Sequence, residues 1–170
     1  MKYLILISLM SAVASFILIF PVSISPGSEI TTLRFCLAGV FIAFPNAIWL
    51  WAANEIASKA LQRPASMSVK VLVIFFIFSF AVTYGSLGTL TLSRGDEVFL
   101  NALYILFPAA FVALIASIII VSRRVIDSED NPQVARSSRI FMLCIGFFYA
   151  IIGMFFISPR LKRLMAKVGN

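Results

Sequence analysis

The chain has 170 residues, 61% of them apolar and 12% charged, with a mean hydropathy of +1.03. Soluble domains carry about 45–50% apolar and roughly 25% charged residues, so an ordinary soluble domain is excluded, as is a disordered or collagen-like chain. Lys and Arg number 14 against 7 Asp and Glu, with no His, for a formal charge of +7. Because these cations flank apolar runs, headgroup attraction and topology account for them, and nucleic acid is not an expected partner.

Five stretches contain no charged residue: 3–24, 35–53, 71–92, 98–122 and 140–157. Each approaches the roughly 17–25 residues that a helix needs to cross about 30 Å of hydrocarbon. The expected fold is an all-α integral membrane protein, one domain over 1–170. It comprises a bundle of about five transmembrane helices with short loops and an amphipathic C-terminal tail helix.

The first stretch runs past Ala12-Val13-Ala14-Ser15, its one plausible small-residue cleavage site, as far as Ile24. A signal core is usually about 7–15 residues, so an uncleaved helix is expected, ending at Pro26-Gly27. The second stretch contains Pro45-Asn46. It leads into an amphipathic segment in which Ala53, Ile56, Ala57, Ala60 and Pro64 share one side and Glu55 stands four residues before Lys59. Trp49 and Trp51 just before it read as interfacial anchors. The third stretch ends in the turn Ser93-Arg94-Gly95-Asp96-Glu97, where Asp96 suits an N-cap. The fourth ends at Arg123-Arg124. A polar loop to Arg139 follows, with Asn131-Pro132 placed as cap and first-turn proline of the fifth. In the tail, 159–170, Leu161, Leu164, Met165 and Val168 fall at helical spacing among Arg160, Lys162, Arg163 and Lys167. That pattern suits a helix lying at the headgroup level.

If all five stretches cross, the N-terminus and the 54–70 and 123–139 loops share a face that carries eight Lys and Arg, against Arg34 and Arg94 opposite. The excess places the N-terminus in the cytoplasm, with a bacterial inner membrane as the expected location. The basic tail then falls on the wrong side. Either it is a tolerated exception or one segment does not cross; the first arrangement is preferred.

Chemistry is sparse. Ionisable side chains within spans usually mark function, and these spans have no Asp, Glu, Lys, Arg or His. Without His the commonest general base and metal ligand are missing. No Gly-x-Ser-x-Gly elbow accompanies the serines. The run Asp127-Ser128-Glu129-Asp130-Asn131 lacks the ligand alternation and glycine of a calcium loop. Arg94-Gly95-Asp96 is a turn. Cys36 and Cys144, inside spans, are expected as packed thiols. The sequence therefore predicts no enzyme, no metal and no cofactor.

What remains is polar packing. Asn46, beside Pro45, suits an interhelical hydrogen bond or, in the alternative, a solute-coordinating side chain at a helix break, with Pro108 as a weak counterpart. Thr83, Tyr84, Ser86, Thr89 and Thr91 make the outer half of the third span polar, as a packing face or a small polar cavity. Small residues repeat at four-residue spacing: Ser8 and Ala12; Gly39, Ala43 and Ala47; Ala81 and Gly85; Ala109, Ala113 and Ser117; Gly146 and Ala150. Lipid supplies no hydrophobic drive between helices, so such close approach must supply the packing energy. The expected function is binding: besides the bilayer itself, a partner membrane protein, with this chain an accessory subunit of a complex or a protector of the toxin-immunity type. A small transporter or channel component is the alternative.

Overall fold

In the computed structural model the described residues are 2–19, 29–90, 97–129, 136–148 and 150–168. They form α1 (Lys2–Ile19), α2 (Glu29–Ala60), α3 (Met67–Leu90), α4 (Glu97–Asp127), α5 (Arg136–Phe148) and α6 (Ala150–Val168), with no strand among them. Three segments are long and apolar enough to cross a membrane: Thr32–Ala60, Met67–Leu87 and Leu103–Asp127. Tyr3–Leu18 is a shorter apolar helix. The expected turns at Pro26-Gly27 and 93–96, and the cap at Asn131-Pro132, lie outside the described residues.

Large apolar side chains cover the outside, among them Met10, Ile74, Phe78, Val112 and Phe141, while Ala, Gly and Ser recur within. Such a surface is unsuited to water and suited to lipid, where packing depends on close backbone approach. Consecutive helices run antiparallel. Ser8 and Ser11 of α1 reach Trp49 and Phe41 of α2. Cys36, Gly39 and Asn54 meet Gly85, Phe80 and Ser66. Phe80 meets Phe107, and Pro64 meets Arg124. The start of α1, the end of α2, the start of α3 and the end of α4 therefore gather at one end.

α2 is the central helix and touches all five others. Its buried Ala38, Gly39, Ala43, Ala47, Ala53 and Ala57 make that possible, because a small side chain on several faces lets several neighbours approach. It passes through Pro45 without interruption and ends with Gln62 at φ 51°. There the amides of Gln62 and Arg63 donate to the carbonyls of Lys59 and Ser58 at 3.1 and 3.0 Å. That is the paired bonding of a Schellman end, with glutamine where glycine is usual.

The stretch 140–157 is not one helix. α5 stops at Phe148, α6 starts at Ala150, and the chain doubles back: Gly153 rests against the carbonyl of Gly146, where a Cβ would have no room, and Ile157 packs on Gly146. At 13 residues α5 spans only about 20 Å, short of the hydrocarbon thickness. The paired glycines permit the backbone contact that a larger residue would block. The tail expected as a separate interfacial helix is instead the continuation of α6 through Pro159, with Leu161 and Leu164 buried in the core. α6 accordingly returns to the end from which α5 departs, bringing Lys162, Arg163 and Lys167 to the end that holds the α2–α3 loop.

Candidate functional site

The polar side chains at this end form a fastening. Asn54, wholly buried, donates through Nδ2 to the carbonyl of Ser66 and accepts at Oδ1 from the Ser66 amide and from Arg124 Nη1, each at 3.3 Å. Arg124 Nη2 donates to the Pro64 carbonyl at 2.7 Å. One amide thus ties the α2–α3 loop to the end of α4 and occupies the start of α3. Around it, Lys70 pairs with Glu55 at 2.7 Å, Arg136 with Asp127 at 2.5 Å, and Arg139 with Glu129. Glu55 therefore takes Lys70 across the helix hairpin rather than the Lys59 expected from helical spacing. Asp127 and Glu129, at and just past the end of α4, serve as counter-charge for α5. No group of metal-ligating side chains occurs among the described residues.

Sequence reasoning missed Asn54 and Arg124. The available signal was an asparagine in an otherwise alanine-rich end of α2; its partner lies 70 residues away.

Pro45 has no amide hydrogen, so the carbonyl of Phe41 loses its helical donor. Ser11 of α1 supplies the replacement: its Oγ donates to the Phe41 carbonyl at 2.8 Å. Ser11, rather than the neighbouring Asn46, thus answers the carbonyl that the proline frees. Asn46 Oδ1 is buried with no partner among the described residues, and so are Ser79 Oγ and Thr83 Oγ1 on α3. The α2–α3 register sets Asn46 roughly level with Phe75 or Phe76, about 5 Å along the axis from Ser79, with Thr83 one turn further. Ser86 Oγ donates back to the Val82 carbonyl at 2.8 Å, and Tyr84 stacks on Phe80 with centroids 6.0 Å apart. The side chains of Thr89 and Thr91 lie outside the described residues.

Three of the glycines singled out by spacing lie at close helix contacts. An added Cβ on Gly39 would sit 2.5 Å from the Phe80 carbonyl oxygen and 2.9 Å from Tyr84 Cβ, and one on Gly85 would strike Cys36 Sγ. Gly146 receives Ile157. Both cysteines are free thiols, and Cys144 Sγ lies 3.6 Å from Ser122 Oγ.

Of the residues expected at the membrane surface, Trp49 is not there: it is 1% exposed and its Nε1–H donates to Ser8 Oγ at 3.1 Å inside the bundle. Indole needs one acceptor when buried, and Ser8 provides it. Trp51 is exposed, with Lys70 Nζ 5.4 Å from its ring centre. Lys162, Arg163 and Lys167 are exposed, whereas Arg160 is half-buried.

Two clefts flank α5. One, about 610 Å³, lies between α4 and α5. Ile115, Ile119 and Arg123 form its α4 wall at four-residue intervals, and Ser137, Phe141 and Ile145 form the α5 wall at the same interval. The other, about 370 Å³, lies inside the α5–α6 hairpin and contains Arg160. No protein-family model matches the chain, and neither a curated protein nor a solved structure does.

Proposed function

We propose that the chain is a non-enzymatic polytopic membrane protein that packs against a helix of a partner membrane protein, as an accessory subunit or an immunity-type protector. The observation that carries this reading is the groove between α4 and α5. Its walls are two rows of side chains at i, i+4 spacing, Ile115–Ile119–Arg123 and Ser137–Phe141–Ile145. A trough between such rows accepts the ridge of another helix. In this reading α1 to α4 cross a bacterial inner membrane, and α5–α6 enters and leaves by one face in place of a fifth crossing. The basic end, with both termini, faces the cytoplasm.

A photo-crosslinking residue placed at Ile119 or Phe141 in cells tests the groove. A discrete protein adduct is expected there, with only lipid adducts from Ile74 and Phe78 on the outer face of α3. No protein adduct at the groove, or the same adducts from α3, overturns the reading. A second reading, a small transporter or channel component, is favoured by the three unpartnered oxygens of Asn46, Ser79 and Thr83. It requires that Asn46→Leu abolish solute flux while leaving crosslinking intact.

A further inference from the structure

The cleft inside the α5–α6 hairpin has an unusual lining. Its walls are apolar, with Met142, Ile145 and Gly146 on one side and Gly153, Phe156 and Ile157 on the other, and Arg160 stands among them. Arg160 Nη1 is buried with no hydrogen-bond partner among the described residues. A guanidinium nitrogen withdrawn from water and left unpaired is strongly unfavourable, so an anion is the expected neighbour. The chain's own described carboxylates at this end are taken: Glu55 by Lys70, Asp127 by Arg136 and Glu129 by Arg139.

Depth narrows the choice. Gly146 meets Gly153 and Ile157, so the hairpin register sets Arg160 opposite residues near Met142, about 9 Å along α5 from Arg136 at the polar end. With the polar end at the membrane surface, as in the proposed function, that is the level where headgroup gives way to acyl chain. From there the apolar cleft runs toward the glycine contact, about 10 Å deeper. Arginine's planar fork suits phosphate oxygens, and an acyl chain suits the rest.

We propose that this cleft binds one anionic phospholipid, its phosphate held by Arg160 and one acyl chain lying between Met142, Ile145 and Phe156. The site shares Ile145 with the α4–α5 groove but opens on the α6 side of α5, and it does not depend on the partner reading.

The test is native mass spectrometry of the full chain released from detergent, with phosphatidylglycerol and the phosphate-free diacylglycerol of equal chain length as probes. A single phosphatidylglycerol adduct is expected, preferred about tenfold or more over diacylglycerol, the scale of one charge-assisted hydrogen bond. Arg160→Met removes the preference, and Arg163→Met, at an exposed position on the same helix, leaves it. If Arg160→Met fails to fold, Arg160→Lys serves, retaining the charge and weakening the preference. Inorganic phosphate at the lipid's concentration does not compete. Equal retention of both lipids overturns the site, and so does equal loss in Arg163→Met. Full competition by phosphate alone shows a headgroup site without a chain and also overturns it. Retention of neither lipid does the same, leaving Arg160 to an acidic group on a partner helix.

Discussion

The hydrogen bond from Ser11 to Phe41 makes a sharp prediction because it exists to answer a proline. Pro45 removes the amide that would otherwise satisfy the Phe41 carbonyl, and the Ser11 hydroxyl stands 2.8 Å from that oxygen. Ser11 is buried, so Ser11→Ala leaves the carbonyl without a donor inside the α1–α2 contact. Interhelical hydrogen bonds in bilayers average about 0.6 kcal/mol and reach about 1.7. An orphaned buried acceptor costs about 1–3 kcal/mol. A loss of about 1–2 kcal/mol is expected. In a Pro45→Ala background the new amide closes the helical ladder onto the same carbonyl, and Ser11→Ala then costs less than about 0.5 kcal/mol. The coupling between the two positions is therefore about 1 kcal/mol. Unfolding of the four proteins by SDS titration in mixed micelles measures it. Equal losses in both backgrounds, within the roughly 0.3–0.5 kcal/mol that marks independent sites, refute the assignment of Ser11 to the proline's carbonyl.

Two further outcomes follow from the same geometry. Asn54→Ala strips Ser66 and Arg124 of their shared partner and is expected to cost about 2–4 kcal/mol, read from thermal unfolding by tryptophan fluorescence. Asn54→Asp retains the acceptor and falls between, whereas an alanine variant within about 0.5 kcal/mol of the parent contradicts the fastening role. A reporter joined after Asn170 should be active as a cytoplasmic fluorescent protein and inactive as an exported phosphatase. The reverse pattern requires an odd number of crossings and removes the re-entrant reading of α5–α6.

The helices of the central bundle were legible because charge marks where a chain leaves hydrocarbon. Lys70 lies in the first turn of α3 and Arg124 in the last of α4, and the charge-free stretches 71–92 and 98–122 match α3 and α4 closely, whereas α2 runs beyond 35–53 at both ends. Gly39 and Gly85 lie in small-residue spacings that suit close approach, and both sit at the α2–α3 contact. Partners distant in sequence were not legible. Trp49 has the composition of an interfacial anchor, and only the position of Ser8 on α1 shows that its indole is satisfied within. Asn54 and Arg124 each look like ordinary helix-end residues until α2 and α4 are set side by side. Local periodicity describes one helix at a time and leaves open which neighbour completes a polar group.

The α5–α6 hairpin shows the same gap from the other side. Its 18 residues from 140 to 157 are apolar enough to span, and Gly146 with Ala150 reads as one more small-residue packing motif. Gly153 decides otherwise, because its contact with Gly146 brings residues seven apart in the chain together, whereas one straight helix would hold them about 10 Å apart. Doubling back changes the charge argument as well. With a fifth crossing, Arg160, Lys162, Arg163 and Lys167 stand opposite the other basic loops and need special pleading. With a hairpin they join Lys70, Arg124, Arg136 and Arg139 at one end, and the asymmetry of Lys and Arg becomes consistent along the described chain. The same fold that removes this exception draws Arg160 into an apolar cleft, so the basic tail divides into exposed cations at the polar end and one half-buried cation lining a cleft. A charge that helical spacing assigned to the surface becomes, through one pair of glycines, the group most in need of a ligand.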